Sequence, residues 1–95
     1  MNISFAGQAV LVAGAARGIG RGIAQGFAAA GAQVFAADRL EAEMQGLPAT
    51  PRVVNLLDRA ALRDWVAAAE QAAGRAPDVL VYVAAYYTSG VNTSL

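Results

Sequence analysis

Residues 10–39 read VLVAGAARGIGRGIAQGFAAAGAQVFAADR, and this stretch decides the fold of the chain. It begins as a short apolar run, is interrupted by Gly14, Gly18 and Gly20, resumes with helical periodicity, and closes as a second apolar run that ends at Asp38. Glycine weakens both strands and helices. Three glycines between a predicted strand and a predicted helix therefore indicate that a contact at this point requires a backbone without side chains.

The rest of the chain continues this alternation of strands and helices. Apolar runs predict strands at 8–14, 32–38, 52–56 and 78–85. Each connection is long enough for a right-handed crossover, so the sheet is expected to be parallel, in strand order 3-2-1-4, with helices on both faces. The predicted fold class is α/β: one half of a doubly wound sheet, forming a single domain over residues 1–95 with an irregular tail at 86–95.

Two long helices are predicted between the strands, and a short helix is predicted within 40–46. The first long helix is expected to pack through one apolar face and to end at Gly31. That face consists of Ile19, Ile23, Phe27 and Ala30. The second is expected to have Asp58 as its N-cap, Leu57 and Leu62 as a hydrophobic staple, and Gly74 at its end. Its apolar face consists of Leu62, Trp65, Val66 and Ala69.

Composition narrows the possible functions. The chain has no cysteine and no histidine, which rules out disulfides, thiolate chemistry and a Ser-His-Asp triad, and no metal site is expected. Seven basic and seven acidic residues give a net charge of zero without a basic stripe, so nucleic acid is not an expected partner. No apolar run approaches the roughly 20 residues of a membrane span, and the N-terminus lacks the basic segment of a signal peptide, which favours a cytoplasmic location without membrane contact. A hydrophobic content of 57% predicts surface that another chain covers, by self-association or in an oligomer.

The glycines stand where such a sheet binds its ligands. In a doubly wound sheet the binding crevice lies outside the carboxyl ends of the strands, where the strand order reverses. Free N–H groups at the start of the next helix attract a pyrophosphate there, provided that no Cβ blocks the approach. Asp38 follows Gly20 at about the 20-residue offset of an acid that holds an adenosine ribose. The alternative is a purely structural βα turn with Asp38 as a solvated strand end.

The spacing Gly-x-x-x-Gly-x-Gly at 14–20 resembles the short-chain dehydrogenase/reductase family, and the likeness covers residues 5 to about 85, with Ala13 replacing the usual threonine. The resemblance implies a Rossmann-type half-fold that binds NAD, with NADP less favoured. It implies hydride transfer between the nicotinamide and an alcohol or carbonyl substrate in the complete protein. The cofactor-binding residues that it implies are Gly14, Arg17, Gly18, Ile19, Gly20, Asp38, Arg39, Asn55, Leu56 and Ala84.

Several of these positions depart from the family pattern. Asn55 takes the place of an aspartate that contacts the adenine, and its side chain is still able to accept a hydrogen bond. Tyr82 and Val83 stand at the two asparagines of an Asn-Asn-Ala-Gly segment, and Ala85 stands at its glycine. Val83 lacks the hydrogen bonds of asparagine and Ala85 adds a methyl group near the cofactor. The resemblance therefore implies weakened binding.

No catalytic residue is expected within this chain. The family's acid-base pair is Tyr-x-x-x-Lys with an upstream serine, and this sequence contains no lysine. The chain is therefore interpreted as the cofactor-binding N-terminal part of such an oxidoreductase, and whether it is itself an enzyme stays open. Two alternatives remain: a non-catalytic nucleotide-binding or interaction module that keeps the half-fold, and a methyltransferase that binds S-adenosylmethionine, whose loop spacing differs.

Overall fold

A computed structural model describes residues 4–83 of the chain. Its elements, in chain order, are strand β1 (Ala9–Ala13), helix α1 (Gly18–Ala29), strand β2 (Gln33–Asp38), a 3₁₀ helix (Glu41–Met44), strand β3 (Thr50–Val53), helix α2 (Arg59–Ala73) and strand β4 (Val79–Tyr82). The predicted tail at 86–95 and the last two residues of the predicted fourth strand lie outside the described residues. In the described part of the chain, no helix is both long and apolar enough to span a bilayer.

The four strands form one parallel sheet in the order β3-β2-β1-β4, which confirms the predicted topology. Val12 lies opposite Ala36 of β2 on one side and opposite Val81 of β4 on the other. Because all strands run the same way, their carboxyl ends meet at one edge of the sheet. The loops after β1, β2 and β3 therefore start side by side.

Two apolar cores, one on each face of the sheet, account for the continuous apolar runs of β1 and β2. Side chains alternate between the faces along a strand, so a strand that is covered on both faces needs apolar residues throughout. On one face Val10 and Val12 belong to the same buried cluster as Ala24 of α1. On the other face Leu11 belongs to a buried cluster with Trp65 of α2.

The predicted packing face of α1 is wrong at its first residue. Ile19 is 74% exposed, whereas Gly20 and Ala24 are buried. Gly20 lies against the turn at Gly14, and successive helical residues are rotated by about 100°, so Ile19 points away from the sheet. Ile23 and Phe27 pack against the core as predicted, and Gly31 follows the helix with a φ of 96°.

The ends of α2 are as predicted, except for the staple. The Asp58 side chain accepts a hydrogen bond from the Ala61 N–H at 3.1 Å, and Gly74 ends the helix in the left-handed conformation. Leu57 is 71% exposed, so it forms no staple, and Leu56 packs against the core instead. The reason is a turn in which the Leu57 N–H donates to Asn55 Oδ1 at 3.0 Å.

Strand β3 lies earlier than the apolar pattern predicts, at Thr50–Val53 instead of 52–56, and its side chains are exposed. It is the edge strand, so pairing with β2 determines its position and apolar content does not. Pro51 lies within it opposite Ala36, which an edge strand tolerates because one side of its backbone has no partner strand. The predicted short helix is present as the single 3₁₀ turn.

Candidate functional site

Packing around the loop between β1 and α1 requires two of its three glycines. A Cβ on Gly20 would lie 1.8 Å from the carbonyl oxygen of Gly14. A Cβ on Gly14 would lie 2.3 Å from the carbonyl oxygen of Val83, just after β4, and Gly14 has a φ of 90°. No side chain fits at either position. The bare backbone at Gly14 and Gly20 therefore allows the turn, the helix and the end of β4 to pack together.

Gly18 differs from the other two glycines because its bare side faces open space. No atom lies within 4 Å of a Cβ built there, so packing does not explain the glycine, although its φ of 60° disfavours other residues. Gly18 is also the first residue of α1, where the helix leaves N–H groups without partners along the helix. No side chain caps α1 at Arg17, whereas Asp58 caps α2. The start of α1 thus combines an uncapped, positive helix end with an unobstructed approach.

The carboxylate of Asp38 lies against the glycine loop. Its Oδ2 accepts a hydrogen bond from the backbone N–H of Ala16 at 3.1 Å, and its Oδ1 accepts from the N–H of Leu40 at 3.3 Å. The structure therefore brings together the two features that the sequence indicated, the glycines after β1 and the acid at the end of β2. Because each carboxylate oxygen has more than one acceptor position, both still have the capacity to bind a ligand.

Two arginines of the loop and of α1 bind Glu43 of the 3₁₀ helix. Arg17 Nε lies 3.0 Å from Glu43 Oε2 in an ion pair. Arg21 Nη1 donates to the backbone carbonyl of Glu43 and also to the carbonyl of Ala16 at 3.4 Å. The roles of Arg21 and Glu43 were not predicted from the sequence, because no local pattern indicates a contact between residues so distant in sequence. The side chain of Arg39, the other predicted basic residue, is exposed.

The predicted adenine-side residues lie after β3, at the same edge of the sheet. Asn55 is exposed, and Leu56 is half-buried against the core. The hydroxyl of Tyr82 donates to the carbonyl of Leu56 at 3.0 Å, which links the end of β4 to this loop. The sequence places Tyr82 at the position of an asparagine, and it gives no signal for the hydrogen bond that the Tyr82 hydroxyl makes to this loop. Ala84, the last predicted cofactor-binding residue, lies outside the described residues.

Comparison with known proteins shows which protein family the chain resembles. A family model described as short chain dehydrogenase matches residues 8–95. The chain is 32% identical to a putative short-chain alcohol dehydrogenase from Sinorhizobium meliloti 1021, with a TM-score of 0.73 over 84% of this chain and 35% of that one. A dehydrogenase/reductase from the same organism matches at 30% identity and a TM-score of 0.73, over 87% of this chain and 36% of that one.

A third solved structure carries a cofactor. It is the 3-ketoacyl-(acyl-carrier-protein) reductase from Brucella melitensis complexed with NADH, with 30% identity and a TM-score of 0.73 over 81% of this chain and 34% of that one. The present chain thus spans about a third of the length of these structures. No curated protein matches it in sequence.

Proposed function

Because the chain belongs to the short-chain dehydrogenase family, we propose that it is the part of an oxidoreductase that binds the nicotinamide dinucleotide. The observation that carries this proposal is Gly18, where the backbone is bare and faces open space at the uncapped start of α1. Packing requires the other two glycines of the loop, whereas at Gly18 the backbone conformation favours glycine and the space beside it stays open. A bound diphosphate would use that open space, since an anion needs both the helix N–H groups and the absence of a Cβ.

The diphosphate would lie over the first turn of α1. Gly18, Ile19 and Gly20 present their backbone N–H groups at this helix end, where intrahelical acceptors are missing. Gly14 and Gly20 contribute indirectly, because their packing fixes the angle at which α1 leaves the sheet. The exposed side chain of Ile19 offers apolar surface beside the same turn.

The adenosine ribose would be held by Asp38, and this favours NAD over NADP. A carboxylate accepts hydrogen bonds from both ribose hydroxyls, whereas a 2′-phosphate at this position meets a like charge. The bond from Ala16 fixes the Asp38 carboxylate beside the glycine loop, so the ribose and diphosphate positions are adjacent. Arg39 follows the acid in sequence, and the adenine would lie near Asn55 and Leu56.

The chemistry of the complete protein would be hydride transfer between the nicotinamide and an alcohol or carbonyl substrate. When bound, the dinucleotide supplies or accepts the hydride. The residues described for this chain bind and orient it: the loop holds its diphosphate, and Asp38 holds its ribose. The acid-base groups of the reaction would come from sequence beyond this chain.

The test is calorimetric titration of the 95-residue chain with NADH, comparing two glycine variants that carry the same backbone strain. Gly18→Ala places a methyl group in the proposed approach and should weaken binding by about tenfold or more, given that 1.4 kcal/mol corresponds to a factor of ten. Gly74→Ala is the control, because Gly74 also has a positive φ, of 72°, and a Cβ there also meets no atom within 4 Å, but it lies at the end of α2. Absence of NADH binding to the wild type, or equal binding by the two variants, would contradict the proposal.

A further inference from the structure

The ion pair between Arg17 and Glu43 places an acidic side chain on the glycine loop. Arg17 Nε and Glu43 Oε2 are 3.0 Å apart, and the two side chains are 59% and 45% exposed. An exposed pair of this kind is usually loosely held. Here Arg21 donates to the backbone carbonyl of Glu43 and so fixes the 3₁₀ helix against α1. The acid is therefore positioned by its backbone as well as by its charge.

The arginine of this pair directly follows the loop residue that binds Asp38. The Ala16 N–H binds the Asp38 carboxylate, and Arg17 is the next residue along the chain. A 2′-phosphate on the ribose would carry between about 1.5 and 2 negative charges near neutral pH. Arg17 is thus the basic residue of the glycine loop that follows the Asp38 contact, and in this structure its guanidinium is paired with Glu43.

We infer that Glu43 is a specificity-determining residue that disfavours 2′-phosphorylated dinucleotides by keeping Arg17 paired. The inference rests on the proposed dinucleotide-binding function. Two carboxylates then act against NADP in different ways. Asp38 repels the 2′-phosphate where it would bind, and Glu43 competes with that phosphate for Arg17. NAD has no phosphate at this position, so releasing Arg17 from Glu43 adds no contact to its ribose.

The experiment uses two neutralising variants of the 3₁₀ helix in the full 95-residue chain. Glu43→Gln removes the charge but keeps an oxygen that accepts from Arg17. Glu41→Gln is the matched control: it removes the same charge from the same helix, and the described residues include no ion-pair partner for Glu41. Affinities for NAD⁺ and NADP⁺ are measured by calorimetric titration at low ionic strength, and thermal melts check that both variants fold like the wild type.

Glu43→Gln should tighten NADP⁺ binding by about three- to fivefold, the upper part of the range of one exposed charged contact, and leave NAD⁺ binding within about twofold. Glu41→Gln should leave both affinities within about twofold. The gain should shrink when the salt concentration is raised, because exposed charges are screened. Adding Arg17→Gln to Glu43→Gln should abolish it.

Two different failures are distinguishable. If the wild type binds NAD⁺ but Glu43→Gln and Glu41→Gln change the NADP⁺ affinity equally, the effect is one of net charge and the inference about Glu43 is wrong. If the wild type binds neither dinucleotide, the proposed function is wrong, and the inference fails with it.

Discussion

The carboxylate of Asp38 at the end of β2 accepts a hydrogen bond from the backbone N–H of Ala16 in the loop after β1, with 3.1 Å between Oδ2 and the nitrogen. This contact gives Asp38 a structural role before any ligand binds. It joins the two loops on either side of the proposed ribose position. The glycine loop is therefore already hydrogen-bonded to Asp38 before a ligand binds this carboxylate.

Asp38→Ala should consequently destabilise the protein even without a ligand. Loss of the bonds from Ala16 and Leu40 leaves two part-buried N–H groups unpaired, which costs about 1–3 kcal/mol of unfolding free energy. The comparison is Asp58→Ala, which removes the N-cap bond to Ala61 at an exposed helix end and should cost about 1 kcal/mol. Urea denaturation measures both. An Asp38→Ala variant as stable as the wild type would show that the contact with Ala16 contributes nothing.

A second prediction separates the packing glycines from the others. Gly20→Ala should destabilise the protein by about 3 kcal/mol or more, because the new methyl group meets the Gly14 carbonyl and the turn must shift. Gly22→Ala, in the same helix, should stabilise it by roughly 0.5–1 kcal/mol, since alanine is the better helix former and the Cβ meets nothing. Thermal melts of the two variants should therefore move in opposite directions. Similar shifts in both would mean that α1 does not pack this closely on the turn.

A third prediction concerns the free side of β4. This strand pairs with β1 along one edge, and no other described strand pairs with its second edge. Leu80 is 57% exposed and lies opposite Leu11, on the face of the sheet that α2 covers elsewhere. An open edge with exposed apolar residues favours association between chains. We therefore expect the wild-type chain to associate at micromolar concentration and Leu80→Asp to reduce this association.

Sedimentation velocity is the measurement, with Leu57→Asp as the control. Leu57 is also an exposed leucine, but it lies in the turn after β3 and not on a strand. Its substitution should leave association unchanged. A monomeric wild type, or an equal effect of the two substitutions, would contradict a role of the β4 edge in association.

The parts of the fold that were predictable depend on local or periodic signals. The βα alternation, the caps at Asp58 and Gly74, and the order of the strands follow from apolar periodicity, from residues with particular backbone preferences and from the handedness of crossovers. The position of β3 was not predictable in this way. An edge strand lies where it pairs with its neighbour, which for β3 is β2. The apolar residues after Pro51 predicted a start two residues later than the observed start at Thr50.

That the glycine loop and Asp38 of the candidate site lie together was predictable for a similar reason. Gly18 and Asp38 were identified from spacing, since the sheet topology brings the ends of β1 and β2 together. Which glycines serve packing was not predictable, because the atoms that they touch belong to a distant strand end and to the preceding turn. The pairing of Arg17 with Glu43 likewise depends on where one turn of 3₁₀ helix lies in space.

The last prediction concerns cofactor choice. Asp38→Ser should weaken NAD⁺ binding, because a charged hydrogen bond of roughly 1.5–3 kcal/mol to the ribose is lost. It should strengthen NADP⁺ binding, because the charge that repels the 2′-phosphate is removed. The ratio of the two affinities should therefore change by about tenfold or more. Asp58→Ser is the control, because it makes the same substitution at a carboxylate that also accepts a backbone N–H, at the start of α2. Calorimetric titration with both dinucleotides measures the ratios. Because Asp38 also binds the Ala16 N–H, any loosening of the glycine loop in the variant would weaken the binding of both cofactors equally. Only a change in their ratio beyond that of Asp58→Ser supports a role in ribose recognition, and an unchanged ratio would leave Asp38 with its contact to the loop alone.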